Sequence, residues 1–105
     1  MFTQLDSIKY VNNFLERIKA KGLHIKHAFL YGSYSRGNPN KHSDIDLALV
    51  ADEFTGFGFN DIKLIVRELA EFYIIQVKNY STEYFEKGDP FINEILKTGI
   101  EMKIN

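Results

Sequence analysis

Apolar residues recur at helical spacing in two segments of the chain. Residues 5–20 and 60–70 each carry an apolar stripe with a period of about 3.6 residues, which predicts two long helices. The stripes are Ile8, Val11, Leu15 and Ile18 in the first helix, and Ile62, Ile65, Val66 and Leu69 in the second. Asp6 or Ser7 is expected to cap the first helix, Gly22 to end it, and Asn60 to cap the second.

Short apolar runs between these helices predict strands. Residues 23–31 read as a strand that ends at the Tyr31–Gly32 break, and residues 45–50 read as a second, well-buried strand after a polar loop. Residues 72–79 predict a third strand. Each run is bounded by turn-forming residues, which favours strands over continued helix.

The last part of the chain predicts one more helix and a final strand. Asp89 followed by Pro90 is typical of a helix start, the buried side is expected to hold Ile92, Ile95 and Leu96, and Gly99 is expected to end the helix. Residues 100–104 alternate between apolar and charged, which predicts a short half-exposed strand. The element order predicts a two-layer α/β or α+β domain, with a small mixed sheet of about four strands flanked by helices.

Composition narrows the classes of function. With 105 residues, a 45% hydrophobic share and a net charge of −1, the chain predicts one soluble domain spanning residues 1–105. A long nucleic acid is not expected as a partner, because its backbone requires many Lys or Arg contacts. Cysteine is absent and no apolar run is long enough for a membrane span, so we expect a cytoplasmic protein without a membrane partner.

The segment GSYSRG at residues 32–37 is the first candidate for chemistry. It follows a predicted strand directly, and Gly32 allows a sharp turn and close approach by a ligand. Ser33 is placed to cap a short helical turn, whose free N–H groups favour a phosphate. The alternative is an ordinary strand-to-turn junction with a serine cap, since short glycine motifs often occur without a ligand.

The segment SDIDL at residues 43–47 is the second candidate. Residues two apart on a strand face the same side, so Asp44 and Asp46 are expected to project together. Adjacent carboxylates repel each other unless a cation lies between them, and Mg²⁺ is commonly held by one or two carboxylates plus substrate phosphates. The alternative is a solvated Asp pair at a loop–strand junction.

The two segments together predict more than either does alone. Ten residues lie between Ser33 and Asp44, about enough for a turn and a return into the next strand. If the strands are neighbours, the phosphate turn and the carboxylates meet at one end of the sheet. Such a site suits phosphoryl or nucleotidyl transfer, which depends mainly on positioning and charge neutralisation.

The pattern GSYSRG, a short polar loop and SDIDL resembles the signature of the polymerase-β-type nucleotidyltransferases, in particular the minimal nucleotidyltransferases of bacteria and archaea. The resemblance implies the nucleotidyltransferase fold and transfer of a nucleoside monophosphate, AMP from ATP, to an acceptor. It implies that Gly32 and Ser33 hold the β- and γ-phosphates, that Asp44 and Asp46 ligate Mg²⁺, and that Arg36 touches the phosphates or braces the loop.

The same resemblance implies a partner. Family members often accompany a small helical protein of the HEPN type, and some act as antitoxins that adenylylate a tyrosine of that partner. This chain resembles such an antitoxin in its size and motif. A polynucleotide polymerase domain is disfavoured by the absence of net positive charge.

At one position the sequence departs from the family pattern. The family usually has a third carboxylate on the strand after the long helix, and the matching residue here is Gln76. Gln76 therefore occupies a predicted catalytic position, but it carries an amide in place of the expected carboxylate. Two interpretations stay open: the acid is lost and catalysis is weakened, so that the chain acts as a nucleotide- or partner-binding module, or Glu71 supplies it.

Other side chains are weaker candidates. His24, His27 and His42 are too scattered to predict a zinc site. Lys41 and His42 precede Asp44 and either meet phosphates or belong to a solvated loop. The aromatic loop at residues 54–59 is expected to anchor to the core, with base stacking or contact with a partner protein as the alternative.

Overall fold

The computed structural model describes residues 3–37 and 44–104, and within them it confirms a mixed four-stranded sheet flanked by helices. The helices are α1 (Gln4–Ala20), α2 (Gly58–Lys63), α3 (Val66–Glu71), α4 (Thr82–Lys87) and α5 (Pro90–Thr98). The strands are β1 (Ile25–Tyr31), β2 (Ile45–Ala51), β3 (Ile75–Ser81) and β4 (Ile100–Glu101). None of the described helices has the length and apolar character needed to cross a membrane.

The strand order is β3-β2-β1-β4, with β1 antiparallel to both β2 and β4, and β2 parallel to β3. β2 lies in the interior of the sheet, and every residue of β2 except Asp46 is buried. The predicted well-buried second strand is therefore confirmed, and a half-exposed carboxylate interrupts it.

Helices cover the two faces of the sheet differently. Side chains alternate along β2, so Leu47 and Leu49 face one side while Asp46, Ala48 and Val50 face the other. The first side packs against α1 and the α2–α3 region in a cluster that includes Val11, Phe14, Ile18, Ile65 and Phe72. The second packs against α4 and α5 in a smaller cluster that includes Phe29, Phe85, Ile92 and Ile95.

The N-terminal helix begins earlier than the sequence predicted. Thr3 is the N-cap, and its hydroxyl accepts from the backbone N–H of Asp6 (3.1 Å), while Thr3 N donates to Asp6 Oδ2 (3.0 Å). This reciprocal capping box satisfies two donors at once, so neither Asp6 nor Ser7 serves as the cap. Ser7 is buried and donates its hydroxyl proton to the Gln4 carbonyl. Gly22, with φ +97°, follows the helix end as predicted.

The single helix predicted over residues 60–70 is wrong, because the chain breaks into α2 and α3 around Leu64 and Ile65. The N–H groups of both residues donate to carbonyls three residues earlier in the chain, which tightens the turn. Lys21 Nζ donates to the carbonyl of Leu64 at 2.7 Å. The break turns Ile65 fully into the core and leaves Ile62 and Val66 exposed, although the sequence placed all three in one stripe. At α5, Leu96 is likewise exposed.

The predicted cap at Asn60 is also wrong. α2 begins at Gly58 without a side-chain cap, and the residue that fixes the preceding loop is Asp61. Its buried carboxylate accepts hydrogen bonds from Thr55 N (2.8 Å), Thr55 Oγ1 (3.0 Å) and Gly56 N (3.0 Å). A carboxylate can accept several bonds, so one side chain closes the loop from inside the first turn of α2.

The remaining differences concern β3 and its surroundings. β3 begins at Ile75 because a turn in which Ile75 N donates to the Phe72 carbonyl occupies the predicted start. No pattern in the sequence predicted α4, whose start is capped by the Ser81 hydroxyl accepting from Tyr84 N. The final strand is limited to Ile100–Glu101. Asp89 caps α5 through Ile92 N at 2.7 Å, and Pro90 follows it, as predicted.

Replacement of Asp61 by alanine should lower the free energy of unfolding by about 1–3 kcal/mol, because three donors lose a buried acceptor. Urea denaturation would measure the loss. Asn60→Ala is the matched control, since Asn60 is exposed and caps nothing in the structure. Equal losses in the two variants would contradict the assignment of Asp61 as the residue that closes the loop.

Candidate active site

The turn after β1 is built around Gly32. Gly32 has φ +76°, a conformation that L residues with a side chain rarely adopt. Its carbonyl accepts from Arg36 N at 3.2 Å and from Ser35 Oγ at 2.9 Å, so residues 32–37 form a compact helical turn. The serine that bonds to the turn is therefore Ser35. Ser33 is half-buried, and no described residue hydrogen-bonds to its hydroxyl, so the predicted cap at Ser33 is not observed.

The first helix holds this turn in place. Gln4 Nε2 donates to the carbonyls of Tyr34 at 2.8 Å and Ser35 at 3.3 Å, and the side chain of Tyr34 is buried in the main core. Sequence reasoning missed both Gln4 and Tyr34. No local signal marks Gln4, whose role depends on a contact across thirty positions of the chain.

Asp46 lies directly against Gly32. The register of β1 and β2 pairs Tyr31 with Asp46, which brings the turn beside the carboxylate. A Cβ at residue 32 would overlap Asp46 Oδ2. The missing side chain of Gly32 thus serves two purposes: it permits the positive φ, and it makes space for Asp46. The structure therefore brings the two motifs together at one end of the sheet, as their spacing predicted.

Asp44 precedes β2 and is exposed. Partial burial raises the pKa of the Asp46 carboxyl above its usual value, the negative charge of Asp44 raises it further, and the Arg36 guanidinium lowers it. These three groups are therefore electrostatically coupled, and neither aspartate forms an ion pair with any described residue. The arrangement leaves excess negative charge that an incoming cation would neutralise.

Gln76 is the register partner of Asp46 across the parallel β2–β3 pair. Partners in a sheet project to the same face, so the exposed Gln76 side chain stands next to the acid. Glu71 ends α3, where it forms an ion pair with Arg17 of α1. Because α1 and α3 pack against the opposite face of the sheet, Glu71 does not reach this position.

The donor chemistry fits magnesium only together with phosphates. The described residues contain no group of three or more His, Cys, Asp or Glu side chains arranged to hold a metal. Asp44 and Asp46 supply hard carboxylate oxygens, which suit Mg²⁺, but octahedral coordination needs further oxygen ligands. A triphosphate lying over the Gly32 turn would supply them.

A cavity of about 290 Å³ opens beside the turn, between the end of β1 and α5. Its wall includes Gly32 and Arg36 together with an aromatic pair, Tyr31 and Phe91, whose ring centroids lie 5.6 Å apart in an edge-to-face arrangement. Phe91 was not predicted as a site residue. Only the packing of α5 on the sheet places it next to the GSYSRG turn.

The other candidate residues predicted from the sequence do not join this site. His24 pairs with Glu53 at 2.6 Å and His27 with Glu101 at 3.0 Å, so neither lies with the aspartates. Lys41 and His42 fall outside the described residues. In the aromatic loop, Phe54 is buried as expected, whereas Phe57 and Phe59 are 71% and 77% exposed, which corrects the expected core anchoring for these two rings.

The fold is similar to solved structures. A candidate nucleotidyltransferase from Sulfolobus solfataricus matches with a TM-score of 0.68 and 17% identity, covering 93% of this chain and 80% of the other. A mutant form of the toxin–antitoxin pair MntA–HpeT matches with a TM-score of 0.56 and 19% identity, covering 93% of this chain and 73% of the other. At these identities the likeness concerns the fold. No curated protein shows significant similarity in sequence.

A family model described as polymerase β, nucleotidyltransferase matches residues 12–104, which include both motifs and all four strands. The match extends over nearly the whole chain, and the chain therefore belongs to the polymerase-β nucleotidyltransferase family.

Proposed function

We propose that this chain binds ATP with Mg²⁺ and transfers AMP to a hydroxyl group of an acceptor. The observation that carries the proposal is the packing of Asp46 against Gly32, with Asp44 and Arg36 in electrostatic range. A turn suited to phosphates and a pair of carboxylates thereby form one site. Family membership supports the reaction class, and the site supports the ligand chemistry.

Each residue has a defined role in this proposal. The backbone at Gly32 and Ser33 holds the β- and γ-phosphates, and Arg36 offsets their negative charge. Asp44 and Asp46 hold the Mg²⁺, which when bound neutralises charge on the triphosphate. The acceptor oxygen bonds to the α-phosphorus, the bond from that phosphorus to the bridging oxygen breaks, and pyrophosphate leaves. With Gln76 beside Asp46, the hydroxyl proton passes to water, because the amide is a poor base.

The acceptor in this proposal belongs to a partner protein, a small helical toxin of the HEPN type whose activity the transfer suppresses. Support comes from the structural neighbour described as a toxin–antitoxin pair, which covers 93% of this chain. The near-neutral charge of the chain fits a protein partner better than a long nucleic acid.

A second function, nucleotide or partner binding without efficient transfer, is favoured by one specific observation. Gln76 stands in register with Asp46, at the position where the resemblance to the family implies an acid, and Glu71 forms an ion pair elsewhere. The two functions share the same binding site and differ only in the rate of the chemical step.

The double substitution Asp44→Asn with Asp46→Asn should abolish magnesium-dependent binding of ATP, because neither amide replaces an anionic ligand. Calorimetry with ATP, with and without Mg²⁺, measures the change, and circular dichroism checks the fold. The matched control is Asp52→Asn with Glu53→Gln, two acids outside the site. Unchanged binding in a folded double variant would falsify the metal site.

The raised pKa of Asp46 predicts a pH-dependent stability. The folded state holds the Asp46 proton more tightly than the unfolded chain does, so this group favours folding below its ordinary pKa of 3.8 and loses that contribution as pH rises through the folded value. Asp46→Asn should therefore raise the melting temperature at pH 7, and the gain should shrink as pH falls towards 4. Thermal melts across this range measure it. A gain that does not vary with pH would contradict the electrostatic cause.

Restoring an acid at Gln76 should accelerate transfer. A general base typically contributes 10²–10⁴-fold, so Gln76→Glu should raise the rate by at least about tenfold while the ATP dissociation constant changes little. Transfer of label from α-labelled ATP to the native acceptor measures the rate. Glu71→Gln is the control and should have no effect. If the natural chain is already fast and Gln76→Glu adds nothing, Gln76 does not mark a missing base.

A further inference from the structure

β3 is an edge strand, and one side of its backbone is unpaired. Ile45 N donates to the Ile74 carbonyl at 3.0 Å, which fixes the orientation of β3: alternate residues from 74 to 80 direct their N–H and C=O groups towards β2. The backbone groups of Val77 and Asn79 therefore point away from the sheet, and no described residue bonds to them. Such an edge is a template for another extended chain.

A groove runs along this edge. A cavity of about 420 Å³ is lined by residues 78–81 of β3, by the loop at residues 55–57 and by Tyr84 and Asp89. The loop is fixed by Asp61, and Tyr84 donates its hydroxyl proton to Asp89, so both walls are held in place. The exposed ring of Phe57 forms an apolar lip.

The groove also contains polar atoms without partners. The side-chain oxygen of Asn79 and the hydroxyl of Tyr80 are buried, and neither has a hydrogen-bond partner among the described residues. Asn79 is in register with Leu49 and Tyr80 with Val50, so the two side chains lie on opposite faces of β3. Buried polar groups in native proteins are almost always bonded, so each of these atoms lacks the usual partner at this stretch of the edge.

The groove lies on the side of Asp46 from which the acceptor would approach. Asp46 has Gly32 on its β1 side and Gln76 on its β3 side. Phosphates held at the Gly32 turn would place the departing pyrophosphate on the β1 side. Because the attacking and leaving oxygens lie roughly in line, the acceptor would then approach from the β3 side. Lys78, which lines the groove, is two residues from Gln76 on the same face of β3.

We propose that the free edge of β3 docks an extended polypeptide segment by strand addition and thereby presents one of its hydroxyl-bearing side chains to the Asp46 site; this inference rests on the proposed function. The segment pairs its backbone with the outward N–H and C=O groups of Val77 and Asn79. Alternate side chains of the segment enter the groove, where the aromatic walls receive them.

Two other occupants fit less well. Of the described residues that line the groove only Lys78 is basic, which is too little charge to hold a nucleic acid. A second copy of this chain, paired through β3 about a two-fold axis, would bring the two Lys78 side chains close together, and like charges at such positions are destabilising.

The test uses the full chain and a pool of mixed-sequence peptides of about fifteen residues, long enough to span β3, each with one central tyrosine, serine or threonine. With α-labelled ATP and Mg²⁺, label should transfer to the peptides in preference to transfer RNA, nucleosides or sugars. Independently of activity, hydrogen exchange on the unmodified protein should show protection of the Val77 and Asn79 amides when the pool is added.

Asn79→Pro removes one outward N–H, a change that edge strands tolerate. It should lower kcat/KM for peptides at least about fivefold, the effect of one lost hydrogen bond, without changing the affinity for Mg²⁺–ATP. Glu101→Pro is the matched control. Because Met102 N bonds to the Ala28 carbonyl, Glu101 N points away from β1 at the opposite edge, and its loss should not affect transfer.

The outcomes separate the two proposals. Failure of the natural chain to bind Mg²⁺–ATP would overturn the proposed function and this inference with it. If the natural chain binds Mg²⁺–ATP normally, three results would overturn strand addition alone. These are unprotected Val77 and Asn79 amides, label only on RNA or small molecules, and an Asn79→Pro variant as active as the natural chain. Protection of the two amides by self-association, seen as dimers in sedimentation without peptide, would also overturn it.

Discussion

The site depends on the contact between the backbone of Gly32 and the carboxylate of Asp46. A residue with a side chain at position 32 would meet two obstacles, the positive φ and the space already filled by Asp46 Oδ2. Antiparallel pairing of β1 and β2 sets the distance, and Gln4 of α1 holds the far side of the turn. The turn after β1 and the carboxylate of Asp46 are thus fixed relative to each other by backbone geometry, which is more rigid than side-chain rotamers.

This arrangement has an electrostatic cost in the protein alone. Asp46 is partly buried next to Asp44, and among the described residues Arg36 alone offsets the charge on Asp46, so the pKa of Asp46 is raised. A third carboxylate at position 76 would add another negative charge beside the pair. Gln76 avoids that repulsion and keeps a polar side chain at the same place. The glutamine therefore adds no charge repulsion at this place, at the expense of a group able to accept a proton.

The two faces of the sheet divide structure from function. The face that packs against α1 and the α2–α3 region is closed and carries most of the core. On the other face, α4 and α5 cover the β2 side chains that follow Asp46 in the sequence, Ala48 and Val50, while the Asp46 carboxylate itself is partly exposed. The break between α2 and α3 contributes indirectly, since it buries Ile65 in the core while Asp61 fixes the loop that forms one wall of the groove along β3.

The sequence by itself determined the order of the main strands and helices, the mixed sheet and the convergence of GSYSRG with SDIDL, because apolar periodicity and a ten-residue connection are local properties of the chain. The resemblance to the family pointed to Gln76 at the place of a third carboxylate, and the structure puts that residue in register with Asp46. Tertiary structure decided the rest. Thr3, not Asp6, caps α1 through a reciprocal pair of hydrogen bonds. Lys21 donates a hydrogen bond to a carbonyl at the break after α2, and Gln4 donates one to a turn thirty positions away. The free edge of β3 is likewise invisible in the sequence, because whether a strand has one neighbour or two depends on packing between distant segments.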